Sequence, residues 1–491
     1  MRIVALRVLV TAVLIGGCSI GPRYHRPDAG IPAAFRATAV TAVAAWPSRN
    51  WWRGFGSTDL DALIADAEAN SFDIQAAAAR VLQADAQIRI SGAPLLPAVN
   101  GNLSDQWTRS GLRRGNSNLA FGLNSFTGGS NKRYGETRQY QAYLPISYEI
   151  DLWGRLRAQQ QSAEFSALFS RYDQQTVALT TVASVATTYF TALSYADRLA
   201  VARRNLRDAE DILKAIRARL EAGIASLLDV SQQETLVAGI RAQIPSLQSQ
   251  YEQQVNALAV LVGRPPERID LAPGTLARIE LPPVDAGLPA SLLERRPDVA
   301  AAEAQLIAAN ADIRAAQANL YPQLNLTAQG GLESGALSTF LGPGTLLLQV
   351  AGGVVQTVFD NGLKGGQLDV RVGRYAELLA DYRKAVVQSL VDVEDALVAY
   401  RYATEQQRLE QQAVDTAQRA ADIARAQLLA GTTDVITALQ AQNSLFSDLD
   451  LLAQVRLARV NALVNLYKAL GGGWTRADTI APPSSIYHGI I

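Results

Sequence analysis

One unit is written twice in this chain, and that repeat limits its architecture more than any other feature. The stretch from Asp73-Ile74 through Ile88-Arg89 to Pro97 recurs as Asp298-Val299 through Ile313-Arg314 to Pro322, at an offset of 225 residues. Further along, Gly154, Gly223 and Gly263 recur as Gly362, Gly431 and Gly471, at an offset of 208. The difference lies between Pro97 and Gly154, and the surplus falls in residues 110–136. That segment is rich in Gly, Asn and Ser and reads as a longer exposed loop. Self-similarity of this kind implies one supersecondary plan used in both copies. The linker between the copies, 263–290, holds six prolines and cannot be regular helix. The expected divisions are a signal peptide at 1–17, an N-terminal segment at 18–58, a first repeat at 59–262, the linker, a second repeat at 291–470 and a tail at 471–491.

Each copy has the same expected order: a helix (59–91 in the first, 292–320 in the second), a strand, a loop, a second strand, a very long helix, a glycine turn and a returning helix. The strands show period two. From Tyr140, alternate positions read Tyr140, Ala142, Leu144, Ile146, Tyr148, Ile150 and Leu152, separated by Gln141, Tyr143, Pro145, Ser147, Glu149 and Asp151. Leu324, Leu326 and Ala328 alternate likewise with Gln323, Asn325, Thr327 and Gln329. A wall with lipid on one side and water on the other needs this pattern, and so does a half-buried strand of a soluble sheet. The long helices carry heptads. Leu199, Ala202, Leu206, Ala209, Leu213, Ile216 and Leu220 recur at spacings of three and four, as do Val414, Ala417, Ala421, Ala424 and Leu428. That period predicts coiled-coil packing. Residues 155–222 predict one helix of about 100 Å, matched by the shorter helices 59–91 and 224–262 stacked end to end. The glycine turns then lie at the end far from the strands.

Composition narrows the chemistry. Lys plus Arg equals Asp plus Glu at 45 each, which gives no electrostatic case for nucleic acid. Only His25 and His488 are histidines, so the chain between them has no imidazole to act as a base or metal ligand. The single cysteine, Cys18, excludes an intrachain disulfide. It follows Arg2, Arg7, the apolar stretch 8–15 and Gly16-Gly17, a pattern that resembles a bacterial lipobox. Cys18 is the expected lipid attachment site, and Ser19 after it resembles an outer-membrane sorting signal. No uninterrupted run of 18 or more apolar residues follows, so a membrane span is expected to be a β-barrel. Two copies supply four strands, too few to close a useful barrel, and an open edge in lipid costs several kcal/mol per unpaired group. An oligomer is therefore expected, and three chains would give twelve strands.

Five motifs then carry a resemblance. They are Trp51-Trp52-Arg53-Gly54-Phe55, Asp151-Leu152-Trp153-Gly154-Arg155, Leu261-Val262-Gly263-Arg264-Pro265-Pro266, Glu294-Arg295-Arg296-Pro297-Asp298-Val299 and Tyr467-Lys468-Ala469-Leu470-Gly471-Gly472-Gly473-Trp474. In this order they resemble the TolC-like outer-membrane factors, in their NodT-type efflux lipoprotein branch. The resemblance implies an α+β membrane protein: a homotrimer whose outer-membrane barrel, four strands per protomer, continues into a coiled-coil periplasmic tunnel. It implies a belt built by 263–290 and the residues after Gly471. It further implies a periplasmic adaptor protein, an inner-membrane pump, no cofactor and no catalysis. By position, Gly223, Ile224, Ala225 and Ser226, with Gly431, Thr432 and Thr433, resemble the hairpin tips that meet the adaptor. Asp229 falls where the family places an acid that holds the inner aperture shut. The family's second-copy acids would fall at Thr437 and Gln440, which are not acidic, and Asp434 is the nearest carboxylate.

The remaining signals read as structural. Trp51, Trp52 and Phe55 are expected packing anchors, Glu294 to Pro297 a helix start, and the arginines of 203–219 the solvated face of a coiled coil. Two other readings compete from the residues alone. One is a lipid-tethered periplasmic coiled-coil scaffold with a small soluble sheet. The other, a carboxylate hydrolase, would need paired acids in a cleft rather than acids scattered along helical faces.

Overall fold

The computed structural model describes residues 20–28, 30–32, 35–36, 47–111, 134–272, 274–283 and 292–476. Cys18, most of the loop 110–136, residues 284–291 and the tail after 476 lie outside the described residues. The chain divides into two compact units. A strand-bearing unit comprises 86–164 and 307–376 with the segment up to Tyr24, and a helical unit comprises 25–85, 165–306 and 377–491.

In the strand-bearing unit, β1 (Ala98–Val99), β2 (Asn102–Gly111), β3 (Tyr134–Ile150), β4 (Gln323–Ser334) and β5 (Leu346–Val355) form one antiparallel sheet. β3 pairs with both β1 and β2 along one side and with β4 along the other, and β4 pairs with β5. Five strand segments thus stand where four were expected. The interruption faces Pro145 of β3: Asn100 donates its N–H to the Pro145 carbonyl at 3.0 Å, and proline has no N–H to return. β3 also ends at Ile150, not Leu152. Asp151 leaves the ladder to accept from Leu156 and Arg157 backbone N–H at 3.1 and 3.0 Å, opening the following helix. Asp360 does the same in the second copy, accepting from Gly362 and Lys364. Trp153 locks the corner by donating to the Pro322 carbonyl at 2.7 Å while its ring lies 5.0 Å from that of Tyr321.

The helices are α1 (Thr58–Asn70), α2 (Phe72–Gly92), α3 (Arg155–Glu221), α4 (Leu227–Val262), α5 (Leu292–Arg295), α6 (Pro297–Ala318), α7 (Leu363–Ala430) and α8 (Val435–Ala469). The first helix expected in each copy is therefore broken, at Ser71 and at Arg296. Pro297 forces the second break, because the residue before proline is pushed out of the helical region. At both breaks a glycine backbone docks: Gly263 on Asn70, and Gly471 on Arg295. Gly154, Gly223 and Gly263 have φ of 81, 75 and 71°, and Gly362, Gly431 and Gly471 have 84, 78 and 84°. The return helix α4 begins at Leu227, three residues later than expected, because Ser226 is its cap.

The two largest cores among the described residues of the helical unit are these. The larger joins Trp51, Trp52 and Phe55 to Val182, Val185, Phe190, Leu258, Leu463 and Tyr467. Trp51 stacks on Tyr467 at 5.0 Å; Phe55 and Phe190 are fully buried, each burial being worth about 2–3 kcal/mol. α3 contains an 18-residue window apolar enough to cross a membrane by length and composition, which a search for uninterrupted apolar runs misses because Thr and Ser are interspersed. Val182, Ala183, Val185, Ala186 and Phe190 of α3 are packed in the larger core. The second core joins Ala209, Ile212, Leu213 and Ile216 of α3 to Val230, Val237 and Ile240 of α4, and to Ala424, Leu428, Val435 and Ala438 of α7 and α8. Of the heptad positions, Leu199, Ala202, Ala209, Leu213, Ile216, Val414, Ala424 and Leu428 are buried, while Leu206, Leu220, Ala417 and Ala421 are half-buried.

Candidate functional site

The two glycine turns are built alike. α3 ends with Gly223 donating to Leu220 and Ile224 to Arg219, both at 2.9 Å; α7 ends with Gly431 donating to Leu428 at 3.1 Å and Thr432 to Gln427 at 2.9 Å. Each is a Schellman ending that satisfies the last carbonyls of the long helix. The returning helices then start on matched caps. Ser226 Oγ accepts from Asp229 N at 3.2 Å, while the Asp229 carboxylate accepts from Ser226 N–H at 2.8 Å and Ser226 Oγ–H at 2.9 Å, a reciprocal capping box. In the second copy Asp434 itself is the cap, accepting from Thr437 N–H at 2.7 Å. That bond to the Thr437 backbone holds the Asp434 carboxyl below its usual range. Both acids singled out from the sequence thus have local partners at helix N-termini, where negative charge is favoured. Around them Ile224, Leu227, Leu228 and Leu429 are all more than 60% exposed, so the turn region presents apolar side chains to its surroundings.

The turns of the two copies meet through the second core and through a residue that sequence reasoning missed. Arg219 Nη1 donates to the Leu428 carbonyl at 2.6 Å, binding the end of α3 to the end of α7. A guanidinium there complements the negative ends of both helices. The arginines of 203–219 are accordingly not just a solvated face: Arg217 pairs with Glu234 at 2.6 Å, and Arg203 donates to Gln248 at 3.0 Å.

A second charged cluster also escaped the sequence. Glu303 of α6, its side chain 8% exposed, takes Arg26 at 2.9 Å and Arg476 at 2.5 Å; Arg26 also reaches Glu294 at 3.0 Å. Segments near the two chain ends are thereby held on one carboxylate. Beside it, Arg296 is far more than part of a helix start. It donates to Asp298 and Asp392 at 2.6 and 2.9 Å and to the carbonyls of Ser389 and Ala469. Burial opposes its charge, but the two carboxylates outweigh burial and hold its pKa above the ordinary value. Among the described residues no group of His, Cys, Asp and Glu could hold a metal ion.

The sheet has two chemically distinct faces. Directly paired residues of antiparallel strands share a face. One face therefore collects Leu103, Ala142, Leu144, Ile146, Tyr148 and Ile150, then Leu324, Leu326, Ala328 and Leu332, then Leu346, Leu348, Val350 and Val354. Leu346, Leu348 and Val350 are 78, 77 and 74% exposed. The other face collects amides and hydroxyls, with Gln329 donating to Gln349 at 2.6 Å and Asn102 to the Tyr143 hydroxyl at 3.1 Å. A soluble sheet would bury that apolar face; here the described residues leave much of it exposed.

Comparison with known proteins agrees with this arrangement. The family model "Outer membrane efflux protein" matches residues 63–264 and 288–472. The chain is 37% identical to the pyoverdine export outer membrane protein OpmQ of Pseudomonas aeruginosa, over 96% of this chain and 97% of that one. It is 35% identical to the toluene efflux pump outer membrane protein TtgC of Pseudomonas putida, over 96% of this chain and 95% of that one. Among solved structures, the outer-membrane channel OprN superposes with a TM-score of 0.83 at 26% identity, over 93% of this chain and all of that one. The protein belongs to the outer membrane efflux protein family, as an outer-membrane channel component of an efflux system with a large periplasmic part.

Proposed function

We propose that the chain is a passive export duct: a homotrimer, anchored by lipid on Cys18, whose twelve strands enclose a water-filled lumen in the outer membrane. The observation that carries this reading is the sheet itself, apolar and exposed on one face, polar on the other, with edges at β5 and along β1 and β2 that pair with no other described strand. An edge left open in lipid is costly, so neighbouring copies would pair β5 against β2. Strand number favours three copies. Two would give eight strands, a barrel only wide enough for its own side chains, whereas twelve leave a lumen. The apolar band fits a bilayer: Tyr140 to Ile150 spans about 34 Å of strand, or roughly 25 Å of height at barrel tilt.

The twofold repeat then gives each protomer two hairpin turns at its periplasmic end. Their exposed apolar residues around Gly223 to Ser226 and Gly431 to Thr433 would receive a periplasmic adaptor joined to an inner-membrane pump. Asp229 and Asp434 would stand near the aperture while capping α4 and α8. The duct performs no covalent chemistry, and its cargo crosses without binding a cofactor. OpmQ and TtgC, whose names specify pyoverdine and toluene, support small-molecule export as the class of cargo.

The test is Cys18→Ser protein, freed of its acyl chains. It should still sediment with membranes and run in detergent at three times the chain mass. A soluble monomer would overturn the duct in favour of a lipid-tethered periplasmic scaffold.

A further inference from the structure

The polar face of the sheet is almost free of charge, and this gives one residue unusual leverage. Among its described residues two carboxylates stand out, Glu149 and Glu333, both odd-numbered positions in register with the amide-bearing ones. Glu149 is neutralised by Arg155, whose guanidinium reaches its two oxygens at 3.0 and 2.5 Å. Glu333 has no such partner. Its side chain accepts from the Gln139 amide, and its register neighbour Gln141 faces Ser104. No arginine or lysine among the described residues forms an ion pair with it. The cations of neighbouring strands lie on the opposite face, where Arg138 pairs with Asp105 at 2.6 Å and Arg109 with Glu136 at 3.4 Å.

Glu333 is also the penultimate residue of β4, at the end away from α6. We propose that Glu333 sets the charge preference of the strand-lined part of the duct. This rests on the trimeric reading above: closure of the sheet would repeat Glu333 once per copy around the lumen. Such a ring, in a wall whose other described strand residues are uncharged or, at Glu149, neutralised by Arg155, favours cations and disfavours anions. An amide donor orients the carboxylate without cancelling its charge, so the ring acts at range, out to about 8 Å at physiological salt. Neutral solutes pass it unaffected, and anionic cargo meets its barrier here.

Purified protein in planar bilayers under an asymmetric KCl gradient reads this directly as a reversal potential. Wild type should prefer potassium to chloride. Glu333→Gln should lower the permeability ratio about twofold or more with conductance retained. Glu333→Lys should shift it further towards chloride, and Glu333→Asp, which keeps the charge, should restore it. Glu136→Gln, on the opposite face, should leave it unchanged. Channels that conduct with the same ratio in wild type, Glu333→Gln and Glu333→Lys would overturn the proposal while leaving the duct standing. A wild-type protein that forms no channels would overturn the duct reading, and this proposal with it.

Discussion

Gly471 approaches the Arg295 carbonyl so closely that a Cβ on it would stand 1.9 Å from that oxygen. The same relationship recurs in the first copy, where a Cβ on Gly263 would stand 2.3 Å from the Asn70 carbonyl oxygen. Each glycine ends a returning helix at the break in the helix that opens its copy. The backbone cannot retreat, because Gly471 also sits at φ +84°. Gly471→Ala should therefore cost roughly 3 kcal/mol, combining left-handed strain with a backbone clash. Gly223 has φ +75° and open space around its Cβ direction, so Gly223→Ala should cost only about 1 kcal/mol. Thermal unfolding of the two variants in detergent measures the difference; equal losses would show that the close approach relaxes freely.

The Glu303 clamp makes a different kind of prediction. Two guanidiniums share one buried carboxylate, so removing the acid leaves both without it and facing each other. Glu303→Gln should release the segments carrying Arg26 and Arg476 together, exposing the Arg23–Tyr24 and Arg476–Ala477 bonds to trypsin, which does not cut Arg26–Pro27. Breaking such a buried cluster costs about 3–5 kcal/mol. Arg26→Gln alone should free only the N-terminal segment, since Arg476 keeps its carboxylate. Digestion followed by mass spectrometry separates the cases. Cleavage after Arg23 without cleavage after Arg476 in the Glu303→Gln protein would refute the shared clamp.

What the sequence revealed and what it hid divide along the range of the interactions. The heptads of α3 and α7, the alternation in β3 and β4 and the glycine turns are local patterns, and their residues are read off directly. The breaks at Ser71 and Arg296 are harder, because each helix also accommodates a glycine from a distant helix end, Gly263 or Gly471. Pro297 was a visible warning of the second break, and the repeat offset could have carried it to Ser71. Arg219 was hidden more deeply. It sits among arginines whose heptad positions face solvent, and its partner, the Leu428 carbonyl, is 209 residues away. Asp229 and Asp434 stand out in the sequence as acids near turns, but their capping bonds depend on where α4 and α8 start, at Leu227 and Val435, and period alone does not fix a helix start.

Two acids of the helical unit respond to pH in opposite senses. Asp434 has its folded pKa lowered by the Thr437 backbone N–H, so its contribution to stability is present above the unfolded value near 3.9. That contribution is lost as pH falls through the lower folded value. Asp197 is raised by burial, against the opposing bonds from Thr275 and Leu276. Its charged form is disfavoured on folding, so it costs stability above its folded pKa, and that cost fades as pH falls towards the unfolded value. Asp434→Asn keeps the cap and should flatten acid-induced loosening of the start of α8. Amide exchange at Val435 to Ala438 between pH 5 and 3 reads it. Identical pH dependence in both proteins would remove Asp434 as the cause.

The two faces of the sheet yield the sharpest contrast between neighbouring residues. Val350 lies in the row of Ala328 and Ile146, at the middle of the apolar band, whereas Gln349 next to it faces the amides. If lipid covers the apolar face, Val350→Arg places a cation near the bilayer midplane at a cost of about 2–4 kcal/mol. Gln349→Arg on the lumen side should assemble almost normally, because water solvates its charge. The yield of detergent-stable oligomer in the two variants is the measurement. A soluble sheet packed against another protein would penalise Val350→Arg as well, but it would let the wild-type protein leave the membrane once Cys18 is replaced. Loss of assembly at Val350→Arg, normal assembly at Gln349→Arg and membrane retention of Cys18→Ser are together expected only if lipid lies on one side of this sheet and water on the other.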